Sequence, residues 1–480
     1  MHATPSPLRR IQDLPGPFAW PLFGNLLQTR PRRLHRDLER WGREYGAFYR
    51  LRIGRDVVLV VSDHAVINRV LRDRPDVFRR PSITADVSRE MGGLPGVFLA
   101  EGAMWRQQRR MVMPAFSAHA IKAYFPQLLR VVARLHGRWQ QAAAGGRPID
   151  LAADLKRYTV DIIAGLAFGH EVNTLETGDD VIQQHLDEVM NGVARRSVMP
   201  IPYWRLIRLP VDRRLERGVK ALREAVDGFI AQARMRMEAE PQRRTQPQNL
   251  LESMINAADE AGSEAGELNV AGNVTTMLLA GEDTTANSLV WLLYLLRQHP
   301  AALRQAQEEV LRIAPDHSAF TLEQIDALSY LEACIHESMR LKPVAPFIPL
   351  EALRDTVVGD VRVPKGGQLI CLMRQDGVDE KHVSNAAEFD PARWLADRGE
   401  SAMSKGTTLP FGAGPRTCPG RYLALLEIKL AAAMLLSRFD VLSIETPSGA
   451  QAEERMGFVM SASKLHMRLA RRAPLPGGNP

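Results

Sequence analysis

The chain has 480 residues, 45% of them apolar and 24% charged, the balance of a water-soluble globular fold large enough to bury a planar cofactor. Its formal net charge is +7, but the arginines are scattered without a long basic block, which argues against nucleic acid and for a basic face that meets an acidic partner protein. Three cysteines, Cys334, Cys371 and Cys418, are too few and too far apart for a disulfide framework or a CxxC zinc site, and they suit a reducing cytosol.

In chain order, a proline-rich start (Leu14–Pro17, then Trp20–Asn25) leads into two strand-like runs, Phe48–Ile53 and Asp56–Val61, separated by Gly54-Arg55. From Ala65 to about Gln307 the apolar spacing is helical. It predicts helices over Gly102–Met113, His119–Ala144, Leu151–Phe168, Val181–Val193, Val211–Glu238 and Val270–Gln298. Past Pro346 come short β-rich pieces, Val357–Val363 and Gln368–Met373. A helix over Arg421–Leu436 follows, then strands over Phe439–Ile444 and Lys464–Leu469 and a Pro/Gly tail expected to fray. The expectation is one large, mainly α domain over 1–480, with a minor β portion from about 45–65, 345–375 and 439–470 that forms one small sheet from both chain ends. The longest apolar stretch, Val274–Leu296, carries Glu282, Asp283 and Asn287 in its middle, so it predicts a buried helix and not a membrane span. With no segment of signal-peptide type in Met1–Gln12, a cytoplasmic protein without a membrane anchor is expected.

The segment Phe411–Gly420 places Cys418 at the end of a glycine-rich turn, just before a helix. Unpaired N–H groups at a helix start favour a thiolate, and Pro419 suits the first helical position. Gly412, Gly414 and Gly420 permit positive φ or close approach to a macrocycle, Phe411 can shield the sulfur, and Arg416 can bind an acidic group. A haem iron with an axial thiolate fits these requirements together. Taken alone, Cys418 also reads as a core cysteine beside an ordinary turn. The full pattern FxxGxRxCxG, with every fixed position filled, resembles the haem-binding loop of the cytochrome P450 family.

Other segments resemble that family in the same order along the chain. Ala280-Gly281-Glu282-Asp283-Thr284-Thr285 interrupts an apolar helix with acids and hydroxyls. Thr284 can bond a carbonyl one turn back and open a groove for a diatomic ligand, and Asp283 has the character of a proton relay. The resemblance gives Asp283 and Thr284 the catalytic acid–alcohol roles, with Ala280 beside the cofactor. Glu282 points to another side and is expected to be solvated or salt-bridged. Trp105 and Arg109 share a helix face. They look like a binding pair for a haem propionate, joined by Arg416. Glu337 and Arg340 resemble the family's ExxR helix, which should stop near Pro343, with Arg393 as their buried partner. Two places depart from the commonest family text: Gly377-Val378-Asp379 replaces a His-Arg pair before an aspartate, and Leu350 stands where an arginine often follows the proline-rich turn.

The resemblance implies the triangular, mainly α cytochrome P450 fold, with haem b between the long distal helix and the cysteine-loop helix, and Cys418 on the iron. It implies a monooxygenase that inserts one atom of O2 into a lipophilic small molecule, with fatty acid, terpenoid and steroid all compatible and fatty acid ranked first. Expected substrate walls are Ile83–Phe98, Arg195–Leu209, Val344–Ile348 and Phe458–Met460. With Pro480 soon after the cysteine helix, no fused flavin reductase is expected. Electrons are therefore expected from NAD(P)H through a reductase and a separate ferredoxin or flavodoxin, docked near Arg106, Arg110 and Arg421. A peroxide-using or isomerising haem-thiolate enzyme, and a non-enzymatic haem sensor, are the rival readings.

Overall fold

The computed structural model describes residues 8–54, 56–94, 96–169, 172–177, 181–199, 202–261, 264–395 and 406–472. Helices dominate between the first and last strands, as the 3.6-residue spacing requires. Leu151–Phe168 forms as expected, ended by Gly169 in the left-handed conformation (φ +60°), and its neighbours Ala118–Ala144 and Pro210–Ala239 agree to within a residue or two. The helix Val181–Val198 runs five residues past its expected end. The long helix starts at Glu264, before the apolar run that marks it in the sequence, and continues to Gln298. Hydropathy there reports the stretch that enters the core, and the polar first turns carry no such mark.

The long helix packs along Leu151–Phe168 and against Ser329–Leu341 and Arg421–Arg438. The last of these is apolar on nearly every face, from Leu423 to Leu436, because helices surround it. Trp139, Tyr158, Trp291, Leu430 and Met434 fill the main core between these elements.

Strand segments appear where expected, but they do not form one sheet. Phe48–Ile53 and Asp56–Val61 pair antiparallel, and Asp56–Val61 then runs parallel to Gln368–Leu372. Phe347–Ala352 and Phe78–Arg79 complete a five-stranded sheet. The C-terminal strands, Phe439–Glu445 and His466–Arg471, pair with each other and with Ile149–Asp150, and their Ile444, Met467 and Leu469 pack into the main core. Val58–Val61 and Leu369–Leu372 are buried runs without alternation, because one face packs against Val66, Ile67 and Val70 and the other against Leu38 and Trp41. Among the described residues no helix is long and apolar enough to cross a membrane. The Pro/Gly tail beyond residue 472 lies outside the described residues.

Candidate functional site

The cysteine loop is shaped by its own backbone. Gly412 and Gly414 take φ of +72° and +69°, which disfavours any side chain there. At Gly414 a Cβ would also lie 2.6 Å from the Arg72 Cα, so the loop rests directly on the helix His64–Arg72. At Gly412 a Cβ would meet nothing within 4 Å, so this side of the loop is open. The Cys418 N–H donates to the Phe411 carbonyl at 3.0 Å and closes the loop. The helix begins at Arg421 with Gly420 before it at φ −83°, so Pro419 precedes the helix instead of opening it, and Gly420 does not use its left-handed freedom. Cys418 presents exposed surface, yet the protein around it is dense enough that burial pushes its thiol up. The Gly420 N–H and the Arg109 charge oppose that rise without overcoming it. The sulfur therefore looks onto an interior cleft, and a metal cation at the sulfur reverses this balance in favour of thiolate.

Beside the cysteine lies a cluster of guanidinium groups that motif spacing only partly announced. Arg416 sits over the Trp105 ring at 4.7 Å, donates to the Ala100 carbonyl at 2.5 Å and pairs with Glu101. Arg74 and Arg80 share the same electrostatic neighbourhood. Burial lowers all three, bringing Arg416 to about 10, with mutual repulsion adding to the fall in Arg80 and Arg416. One carboxylate among three guanidiniums leaves an excess of two positive charges. Arg74 Nε and Nη2 and Arg416 Nε are buried without a hydrogen-bond partner among the described residues. Orphaned buried donors of this kind call for anionic acceptors, and the two propionates of a haem match both the charge and the unmet donors. Arg109 donates to the Thr417 carbonyl at 2.8 Å and lends its charge to Cys418. Sequence reasoning missed Arg74, Arg80 and Glu101, because no local pattern links them to Arg416; only the fold brings them together.

On the long helix, the Thr284 hydroxyl donates to the Ala280 carbonyl at 2.7 Å. Both residues line an apolar cavity with Met91, Phe98, Leu222, Val226 and Phe458. The volume open to the centres of water-sized molecules is about 160 Å³. The stretch before Phe98 and Phe458 itself are walls as expected. The described residues of Arg195–Leu209 and Val344–Ile348 contribute none; Val219–Asp227 of the Pro210–Ala239 helix takes that place. Asp283 accepts from Asn287 Nδ2 at 2.8 Å and meets the Lys156 ammonium at 3.2 Å, while Lys156 also pairs with the half-exposed Asp187. A polar chain thus runs from the long helix to the surface. Glu282 contradicts its expectation: it is neither solvated nor salt-bridged but 2% exposed, with Oε1 lacking a partner among the described residues. Burial pushes its carboxyl up to about 9, with Lys156 opposing and Asp187 and Asp283 adding to the rise.

Behind the cysteine loop, Glu337 accepts from Arg340 at 2.8 and 2.7 Å, from Arg393 at 2.9 Å, from Trp394 Nε1 at 2.8 Å and from the Asp390 N–H at 2.9 Å. Arg340 also donates to the Gly377, Ala386 and Glu388 carbonyls, and Arg393 to those of Ser384 and Asn385. Burial alone would raise the Glu337 carboxyl, but these donors, Arg340 first, hold it below the usual carboxylate range. Both departures from family text are structural here. Leu350 is fully buried in the sheet, and a Cβ at Gly377 would press on Thr408 at 3.0 Å.

Comparison with known proteins agrees with this geometry. A family model described as Cytochrome P450 matches residues 14–469. The chain is 30% identical to the chloroplastic carotene epsilon-monooxygenase of Arabidopsis thaliana, over 89% of this chain and 81% of that protein. It is 29% identical to the steroid 17-alpha-hydroxylase/17,20 lyase of Oryzias latipes, over 98% and 93%. A bifunctional cytochrome P450/NADPH–P450 reductase of Bacillus cereus is 27% identical over 91% of this chain, which spans 40% of that protein's length. A mainly helical fold, a cysteine facing an interior cleft and a family match over nearly the whole chain lead to one conclusion: the protein belongs to the cytochrome P450 family, haem-thiolate monooxygenases that use haem b, O2 and reducing equivalents from a reductase.

Proposed function

We propose that this P450 oxygenates an isoprenoid lipid, of carotenoid or steroid type, held in the cavity between Phe98, Leu222 and Phe458. The observation that carries the reading is the placement of Thr284 and Ala280 on the wall of that cavity, which sets the polar step of the long helix against an otherwise apolar binding space. The names of two relatives, a carotene monooxygenase and a steroid hydroxylase, support an isoprenoid over the fatty acid that sequence reasoning ranked first.

In this reading Cys418 holds the iron, and Trp105, Arg416, Arg74 and Arg80 bind the propionates. Arg109 positions the loop through Thr417. Gly412 and Gly420 leave room for the macrocycle, and Phe411 closes the loop behind the sulfur. When bound, the haem supplies the activation of O2, which the thiolate's electron density favours. Thr284 Oγ1, anchored on Ala280, offers a hydroxyl at the cavity wall, and Asp283 stands in the chain of polar groups that can resupply its proton through Lys156 and Asp187. The apolar walls exclude bulk water from the reacting centre. Electrons come from NAD(P)H through a separate ferredoxin or flavodoxin.

The test is the reduced carbon monoxide difference spectrum of the wild type and Cys418→Ser, followed by a spin-shift screen of isoprenoids and fatty acids. The wild type is expected to show the thiolate Soret band, Cys418→Ser to lose it, and an isoprenoid to give the largest shift. An imidazole-type band in the wild type would overturn the assignment of Cys418, and a response to fatty acids alone would overturn the substrate class.

A further inference from the structure

One cluster of ligating side chains lies outside the cofactor cleft and has no part in that chemistry. His64 opens the helix His64–Arg72, Asp376 belongs to the turn Gln375–Val378, and His382 follows in the next loop. We propose that His64, Asp376 and His382 form a binding site for a divalent transition-metal ion, best matched by Zn2+.

The spacing suits such an ion. Ligand atoms held about 2.0–2.1 Å from a tetrahedral zinc lie roughly 3.3 Å from one another. Here His64 Nδ1 is 2.8 Å from Asp376 Oδ2, and His382 Nε2 is 3.7 Å from the same oxygen. All three ligand atoms fall within 4.8 Å of one another, so side-chain shifts of up to about 1.5 Å bring them onto one ion. An ordinary hydrogen bond accounts for His64 with Asp376. It does not account for His382, whose ring nitrogen faces the same carboxylate from beyond hydrogen-bond reach. The two imidazoles are donors of borderline softness, which favour zinc, copper, cobalt or nickel over magnesium and calcium, and the carboxylate is a hard donor that zinc also accepts.

The site is also built and reachable. Asp376 Oδ2 accepts the His64 backbone N–H at 2.9 Å, which fixes the carboxylate on the helix start. The loop carrying His382 is folded by Asp379, whose carbonyl accepts the His382 N–H at 3.0 Å and whose side chain accepts the Lys381 N–H at 2.9 Å. Side-chain exposures of 30%, 11% and 37% leave a path for the ion and a position for water.

Position gives the site a consequence. The far end of the His64–Arg72 helix supports the cysteine loop at Gly414, and the carbonyl of Gly377, next to Asp376, accepts from Arg340 at 2.6 Å. A bound ion therefore joins two supports of the loop, and by linkage it stabilises the folded state.

Untagged, haem-loaded protein stripped with chelator is dialysed against low-micromolar Zn2+, and bound metal and the melting temperature are measured. The expected result is one zinc per chain above the level of His382→Ala, with a higher Tm than the metal-free protein. His64→Gln and Asp376→Asn should lose both effects, and excess Mg2+ should displace none of the zinc. His382 sits on an exposed loop, so its variant keeps the fold even if the His64 variant does not. Equal zinc binding by wild type and His382→Ala, or displacement by Mg2+, would overturn the proposal.

Discussion

Glu282 shows how one residue departs from its neighbours in a motif. Asp283, adjacent in sequence, reaches Lys156 and Asn287, whereas Glu282 turns into the helix pair, where the Thr159 hydroxyl donates to its backbone carbonyl at 3.1 Å but nothing among the described residues satisfies Oε1. Its carboxyl, ordinarily near 4.5, is pushed up to about 9, so the folded protein holds a proton that the unfolded chain releases. Between those two pH values the native state binds more protons, and stability falls as pH rises. Glu282→Gln keeps the shape and removes the titration. We expect it to flatten the pH dependence of denaturant unfolding between about pH 5 and 9 and to add on the order of 1–3 kcal/mol at the alkaline end. A variant whose pH profile parallels the wild type would show that Glu282 is ionised in the fold.

At the scale of elements, the helix Ser329–Leu341 holds the segment that precedes the cysteine loop through a single carboxylate. Glu337 collects five hydrogen bonds from Arg340, Arg393, Trp394 and the Asp390 N–H, and the two arginines spend their remaining donors on five backbone carbonyls. A buried ionic cluster gains little over an apolar packing of equal volume, but removing one member strands the others. Glu337→Gln leaves two buried guanidiniums without a counter-charge and should cost about 3–5 kcal/mol in thermal or denaturant unfolding of the haem-loaded protein. A loss below about 1 kcal/mol, the range of an exposed pair, would contradict a cluster that anchors this region.

For the whole molecule, the charge of +7 and the exposed Arg110 and Arg421 near the cysteine loop suggest a face for an acidic electron donor. Arg106, expected to share that role, is paired with Asp76 and contributes less net field. Reduction by the proposed ferredoxin or flavodoxin should slow steadily as ionic strength rises, because screening shortens to about 10 Å at 0.1 M and 3 Å at 1 M. Stopped-flow reduction measures this, and a rate that is flat or rises with salt would rule out electrostatic docking.

Local chemistry made much of this protein legible in its sequence. Helical periodicity marked the long helices and apolar strand runs marked the sheet segments, because burial writes its period directly onto the chain. The cysteine loop, the Ala280–Thr285 step and the Glu337–Arg340 pair were readable for the same reason, since each is a short segment whose residues act together. Only tertiary structure decided what depends on distant partners: that the terminal strands join two separate sheets, that Glu282 is buried beside a paired Asp283, and that Arg74, Arg80 and Glu101 gather around Arg416. Strand pairing, desolvation and charge clustering depend on distances between segments far apart in the chain, and no local pattern encodes those distances.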